Sequence, residues 1–171
     1  MNDRPIIRLS YRWLLPVLGL LLIGLGWLAS PRDAQGHPLL LLPDVKAVED
    51  YRRAATHNAA GLRLLDGEIA ALLQGSSPDL FTQSSQAQAA FEHALAIAQK
   101  IDIQSAPPAL AGLREASAQT ASTYLEASRL ALRWVSLPQE PNRTAAKDEL
   151  TQAQQELETL EESQWLKMTS R

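Results

Sequence analysis

Apolar side chains recur at alternating steps of three and four residues from position 44 almost to the end of this 171-residue chain. Such steps place side chains on one face of an α-helix, whereas a strand repeats at steps of two, which no segment does convincingly. Prolines and glycines divide the pattern into four stretches. The four predicted stripes are Val48, Tyr51, Ala55, Asn58, Leu62, Leu65, Ile69 and Leu72; Ala87, Phe91, Ala94, Ala98 and Ile101; Leu110, Leu113, Ser117, Thr120, Tyr124, Ala127, Ala131 and Trp134; and Ala146, Leu150, Ala153, Leu157 and Leu160. The pattern therefore predicts an all-α fold.

Short turns between these stretches restrict how the predicted helices are arranged. A short connection cannot carry the chain back along a helix, so each helix must run antiparallel to the one before it. The sequence therefore predicts an antiparallel up-down-up-down four-helix bundle over residues 44–171. The alternatives are a three-helix core with the polar fourth helix loosely attached, or long hairpins that pair between chains.

Cap and turn residues predict where the helices begin and end. Side-chain oxygens suit helix starts because they accept hydrogen bonds from the free N–H groups of the first turn. The predicted starts are Asp44, a capping box of Ser85 and Gln88, the pair Pro107 and Pro108, and Asn142 or Thr144. The predicted ends are Gly75, Asp102 and the segment from Leu137 to Pro141.

The run from Trp13 to Ala29 contains seventeen residues and no charged side chain. At 1.5 Å per residue it reaches about 25 Å, which is just enough to cross the hydrocarbon core of a bilayer. Trp13 and Trp27 stand at its two ends, where tryptophan rings settle among lipid headgroups, and Arg12 can extend its side chain toward the same level. The run is therefore predicted to be a transmembrane signal-anchor helix in contact with membrane lipid.

A cleaved secretory signal is the alternative interpretation of this run, since arginines followed by apolar residues also describe that element. Its cleavage site would be poor, because a cut after Ala29 places Trp27 at the third position back, where a small residue is needed. The apolar run is also longer than the usual core of a signal. A retained anchor is the favoured interpretation.

Arginines set the predicted orientation of the anchor. Arg4, Arg8 and Arg12 precede the run and Arg32 alone follows it closely, a bias that puts the N-terminus in the cytoplasm. The predicted parts are a cytoplasmic tail (1–12), a transmembrane helix (13–29), a proline-rich linker (30–43) and an extracytoplasmic bundle (44–171). This arrangement predicts a single-pass protein of the plasma (inner) membrane.

Composition argues against several classes of activity. The chain has no cysteine, which excludes disulfides, thiolate metal sites and cysteine nucleophiles. Residues 44–171 carry 12 Lys and Arg against 17 Asp and Glu, a balance that argues against nucleic-acid binding. His37, His57 and His93 fit no metal-binding spacing, and neither a nucleophile motif nor a glycine-rich phosphate loop is present. The chain is predicted not to be an enzyme and to hold no metal or other cofactor.

Four positions within the stripes are candidates for bundle register or for binding. Asn58 is the strongly polar member of the first stripe; it either sets the register between helices or lies slightly off the seam. Tyr51, Tyr124 and Trp134 mark places where a small molecule would enter between helices.

Two functions remain as hypotheses from these features. The first is a membrane-anchored interaction or scaffold protein of the cell envelope, whose bundle presents a helical face to a protein partner. The second is a tethered bundle that binds or senses a small ligand and acts through a partner. Self-association into a homo-oligomer is compatible with both.

Overall fold

A computed structural model describes residues 11–29, 43–75 and 79–167 of the chain. Within these ranges the chain forms six α-helices and one 3-10 turn, and no strand. The α-helices are α1 (Tyr11–Ala29), α2 (Pro43–Gln74), α3 (Leu80–Asp102), α4 (Ala111–Ser136), α5 (Glu140–Glu162) and α6 (Gln164–Lys167), and the 3-10 turn is Pro108–Leu110. The predicted all-α fold is confirmed. The chain divides into two units, Met1–Lys46 and Ala47–Arg171.

The first unit contains α1, which covers the run that is predicted to cross a membrane. Its side chains are described from residue 16 to residue 26. In the described part of the chain, no helix combines the length and the apolar character that a membrane span requires. The predicted transmembrane helix over residues 13–29 is therefore not supported by the structure. Of the predicted anchor residues, Arg8 lies outside the described residues, and so do the side chains of Arg12, Trp13 and Trp27.

The second unit is a bundle in which α2 lies beside both α3 and α5. Asn58 of α2 contacts Gln104, which follows the end of α3. Further along α2, Glu68 contacts His93, which lies within α3. These contacts run in opposite directions along the chain, so α2 and α3 are antiparallel. The contacts between α2 and α5 are antiparallel in the same way, as Arg63 pairs with Glu161 and Asp66 with Gln154. Helix α4 packs against α3 on one side and α5 on the other.

The core of the bundle follows the predicted stripes most closely in α2 and α5. All five stripe residues of α5 are buried, so the fourth helix is part of the core rather than a loose attachment. In α2 the stripe is buried from Tyr51 to Leu72, and Val48 is half-buried. In α4 the stripe is buried from Leu110 to Ala131, and Trp134 is half-buried.

The stripe of α3 differs from the prediction. Its buried residues are Ala87, Ala90, Ala94, Ile97 and Ile101. Phe91 and Ala98, which were expected in the stripe, are half-buried at its edge. The predicted and the observed residues both recur at steps of three and four. Helix α3 has alanine on several sides, so hydropathy alone does not show which of two slightly rotated faces is buried.

Four predicted helix boundaries agree with the structure, including the end of α4, which stops at Ser136 with Leu137 as its C-cap. Gly75 follows the end of α2 with φ +73°, a backbone conformation that glycine adopts without steric cost. Helix α3 ends at Asp102, as predicted. Pro107 precedes the 3-10 turn that leads directly into α4, where the fixed φ of proline suits the start of a helix.

The other predicted starts are wrong. Helix α2 begins at Pro43, one residue before Asp44. Helix α3 begins five residues before Ser85, which places Ser85 and Gln88 inside the helix and leaves no capping box there. Helix α5 begins at Glu140, ahead of Asn142 and Thr144, because Pro141 is tolerated in the first turn, where its missing N–H has no helical partner.

Asp79 is the residue that caps α3. Its Oδ1 accepts the backbone N–H of Thr82 at 2.7 Å and its Oδ2 accepts the hydroxyl of Thr82 at 2.8 Å. The first of these bonds, and then the second, hold the pKa of Asp79 below its ordinary value of 3.8. The cap therefore stabilises the fold through the ionised carboxylate.

We expect the effect of replacing Asp79 by alanine to depend on pH. Because the pKa is lower in the folded state, the stabilisation is complete above the unfolded value of 3.8 and is lost as the pH falls through the folded value. Thermal unfolding should give a lower midpoint for Asp79→Ala than for the wild type at pH 7. At about pH 2 the two midpoints should approach each other. A difference that is the same at both pH values would contradict a charge-based cap.

Candidate binding groove

A groove of about 770 Å³ runs along the surface between the first half of α4 and the last half of α5. Small side chains form its α4 wall, where Ala109, Gly112 and Ala116 follow one another at helical spacing. Leu113 and Leu160 lie beneath it, and both are buried in the core. The groove therefore lies over an apolar floor that is almost fully buried.

Gly112 lines the groove and has no side chain. A Cβ added to Gly112 would meet no atom within 4 Å, so the bundle itself does not require glycine there. Its φ is also not positive. Glycine weakens a helix relative to alanine by up to about 1 kcal/mol, a cost that Gly112 shares with the equally unconstrained Gly67 of α2. The open space above Gly112 is part of the groove.

Helix α6 closes one end of the groove with Trp165, whose ring lines the groove and packs against the core. Ser163 separates α5 from α6 with ψ 140°, a non-helical value that turns the chain. Arg52 of α2 then holds the turn in place, because its Nε donates to the carbonyl oxygen of Trp165 at 2.8 Å. Sequence reasoning missed both α6 and the groove.

Polar groups line the α5 wall of the groove. Gln152, Gln155 and Glu156 supply amide and carboxylate groups, and Glu156 is the one charged residue in the groove wall among the described residues. The two carboxylate oxygens of Glu156 accept Thr123 Oγ1 at 2.8 Å and Gln152 Nε2 at 3.1 Å. The hydroxyl of Ser163 is buried and has no hydrogen-bond partner within the described part of the chain. The groove thus combines an apolar floor with hydrogen-bonding groups and a negative charge.

The candidate residue Tyr124 lies in the centre of the bundle instead of in the groove. Its side chain is fully buried, and its hydroxyl donates to Asp66 Oδ1 at 3.3 Å. Gln154 Nε2 donates to the same oxygen at 2.8 Å. Burial, followed by the charge of Asp66, raises the pKa of the Tyr124 phenol. This geometry connects α2, α4 and α5 and keeps the phenol protonated.

Asn58 and Tyr51 lie near the end of the bundle at which α2 begins. Asn58 is buried, and its Nδ2 donates to Gln104 Oε1 at 3.2 Å. Its partner is a side chain in the connection between α3 and α4, and not a residue of another stripe. Tyr51 is also buried, and burial raises the pKa of its phenol. The predicted register role of Asn58 stays a prediction.

Trp134 lies at the opposite end of the bundle. The guanidinium of Arg143 stands over the Trp134 ring at 5.6 Å from its centroid. Arg143 Nε and Nη2 also donate to the carbonyl oxygen of Leu73, in the last turn of α2, at 3.2 and 3.0 Å. The four candidate positions are thus spread along the bundle, and the structure does not bring them together in one site.

We expect Arg143→Met to lower the free energy of unfolding by about 1.5 to 3 kcal/mol, because it removes charge-assisted hydrogen bonds to a carbonyl that has no helical partner. Urea unfolding followed by circular dichroism measures this difference. Lys147→Met is the matched control, since Lys147 is exposed one turn further along α5. The control should change the free energy by less than about 0.5 kcal/mol. Equal effects of the two variants would contradict the role of Arg143 in capping α2.

The histidines are arranged as follows. His57 is exposed on α2, and His93 Nδ1 lies 3.1 Å from Glu68 Oε2. His37 lies outside the described residues. In the ranges that the structure describes, no group of three or more histidine or acidic side chains is placed to hold a metal ion.

Comparison with known proteins gives no assignment. No family model, no curated protein and no solved structure matches the chain. The groove, the surface of α1 and the sequence are therefore the features that bear on function.

Proposed function

We propose that this chain is a membrane-associated helical-bundle protein of the cell envelope and that its bundle is a protein-interaction module. The groove between α4 and α5 carries this proposal. An open surface with an apolar floor and a polar wall is the usual anatomy of a binding site for another molecule. Helix α5 contributes five buried residues to the core, so the groove stands on a rigid support.

The surface of α1 supports the membrane part of the proposal. From residue 16 to residue 26 every side chain is apolar or glycine, and all of these residues except Gly19 are exposed. Eleven consecutive residues cover every side of a helix. A helix that is apolar all round needs an apolar environment. We propose that residues 13–29 supply a single-pass anchor in the plasma (inner) membrane, with residues 1–12 in the cytoplasm and the bundle outside it.

Site-specific photocrosslinking in the producing cell tests the interaction. A photoreactive amino acid replaces Gln155 in the groove wall or, as the control, Ala96, which is exposed on α3. We expect a crosslinked species of defined mass from position 155 and none from position 96. The same yield from both positions, or no crosslink from either, would count against an interaction through the groove.

Binding of a small ligand is the second candidate function, and the size of the groove favours it. A volume of about 770 Å³ lies within the range of about 300 to 1,000 Å³ that is common for ligand sites. Gln152, Gln155 and Glu156 in its wall carry hydrogen-bonding groups that could orient such a ligand. Native mass spectrometry of the purified chain distinguishes the two candidates, because a bound small molecule adds a discrete mass of a few hundred daltons.

The remaining predictions about activity are unchanged by the structure. The proposal contains no catalytic step, and the prediction that the chain is not an enzyme stays a prediction. The same holds for the absence of nucleic-acid binding and for self-association into a homo-oligomer.

A further inference from the structure

We propose that the groove between α4 and α5 receives an amphipathic α-helix of a partner protein, with apolar residues on one face and lysine or arginine on the other. This inference rests on the proposed interaction function and states the chemistry of the partner. Its basis is the length of the groove, the small side chains of its α4 wall and the charge of α5.

The length of the groove suits a short helix. Its α4 wall extends from Ala109, in the 3-10 turn, to Thr120, and its α5 wall from Gln152 to Ser163, just after α5. At about 1.5 Å per residue each wall is about 17 Å long. A helix of three turns has the same length and presents three or four apolar residues on one face.

The α4 wall permits a close approach of a third backbone. Ala109, Gly112 and Ala116 carry at most one methyl group each, and the space above Gly112 is free. Large apolar side chains of an incoming helix would then reach Leu113 and Leu160 in the floor. Packing of large side chains from one helix against small ones on its neighbour is the general pattern of close helix pairs.

The negative charge of α5 indicates that the polar face of the partner helix is basic. Between positions 148 and 162 the chain has six carboxylates and no lysine or arginine. Glu156 lies in the groove wall, whose described residues include no lysine or arginine, whereas Glu158 and Glu162 are exposed on the last two turns of α5 outside that wall. A helix with basic residues beside its apolar face complements this surface, whereas an acidic helix would be repelled.

Peptide binding to the full-length chain tests the proposal. The chain is placed in phosphatidylcholine nanodiscs, and protein-free nanodiscs give the background. The probe is a fluorescent 14-residue peptide with leucine on one helical face and lysine elsewhere; its counterpart carries glutamate in place of lysine. Fluorescence anisotropy should show saturable binding of the lysine peptide, at least tenfold weaker binding of the glutamate peptide, and weakening with added salt.

Two glycine variants locate the binding surface. Gly112→Leu places a large side chain in the groove, and Gly67→Leu makes the same change at an exposed position of α2 where an added Cβ also meets no atom within 4 Å. Neither change strains the backbone, and leucine forms helices more readily than glycine. We expect Gly112→Leu to weaken binding of the lysine peptide at least tenfold and Gly67→Leu to leave it unchanged, with both variants unfolding at or above the wild-type temperature.

The outcomes separate this inference from the proposed function. Equal binding of the two peptides, or an unchanged affinity of Gly112→Leu, would overturn the basic-helix occupant. A chain that dimerises through the groove, with Gly112→Leu remaining monomeric and the lysine peptide not binding, would assign the groove to a second copy and also overturn it. A chain that stays in solution without lipid would contradict the membrane part of the proposed function, and the peptide measurement would then be made in buffer.

Discussion

Replacing Leu65 by alanine is expected to lower the free energy of unfolding by about 2 to 5 kcal/mol. Leu65 has no exposed surface and lies in the middle of the buried stripe of α2. The loss combines the removed apolar area with the cavity left among neighbours that are already closely packed. Urea unfolding of the full chain, followed by circular dichroism at 222 nm, measures the difference.

The preceding residue supplies the control. Leu64 is also leucine in α2, but 68% of its surface is exposed. Leu64→Ala should change the free energy of unfolding by less than about 0.5 kcal/mol, since no packed contacts are lost and alanine has a high helix propensity. If the two variants lost equal stability, α2 would not present the face to the core that the structure assigns to it.

The faces of α2 and α5 could be predicted because their stripes differ sharply in hydropathy from the residues beside them. Leu157 and Leu160, for example, stand among glutamates, so only one rotation of α5 buries the apolar residues. Helix α3 lacks such a contrast. Ala90 and Ala98 are chemically alike, but the first is buried and the second is only half-buried. At such positions, contacts with neighbouring helices determine which residue is buried.

The sequence contains two competing signals for the start of α3. Ser85 and Gln88 have the spacing of a capping box, but their side chains lie in a helix that has already begun. Asp79 caps the helix because it accepts two hydrogen bonds from Thr82. The sequence contains this second signal too, since an aspartate just after a proline is a good helix cap.

The groove could not be predicted from the stripes because most of the side chains in its walls lie outside them. Gly112 and Ala116 are small residues on the exposed side of α4. The space beside them becomes a groove only because α5 packs alongside and forms the second wall. Trp165 reaches the groove because Arg52, 113 positions earlier in the chain, holds its carbonyl oxygen. A contact over that distance leaves no periodic pattern in the sequence.

Leu21→Arg is expected to abolish stable membrane association of the full chain. Leu21 is the central residue of the predicted anchor, residues 13–29, and it is exposed on α1. On the scale of helix insertion, arginine at the centre of a span is about 3 to 4 kcal/mol less favourable than leucine. That difference corresponds to a shift of more than about a hundredfold in the insertion equilibrium. Cell fractionation with carbonate extraction, followed by immunoblotting of pellet and supernatant, measures it.

Leu64→Arg is the matched control for this experiment because it places the same charge at another exposed leucine, in the bundle instead of α1. If residues 13–29 alone hold the chain in the membrane, this variant should stay in the membrane pellet with the wild type. Loss of both variants from the pellet would mean that the bundle itself holds the chain at the membrane. A wild-type chain found in the supernatant would mean that the apolar surface of α1 is covered by protein and not by lipid, since a helix apolar on every side cannot face water throughout.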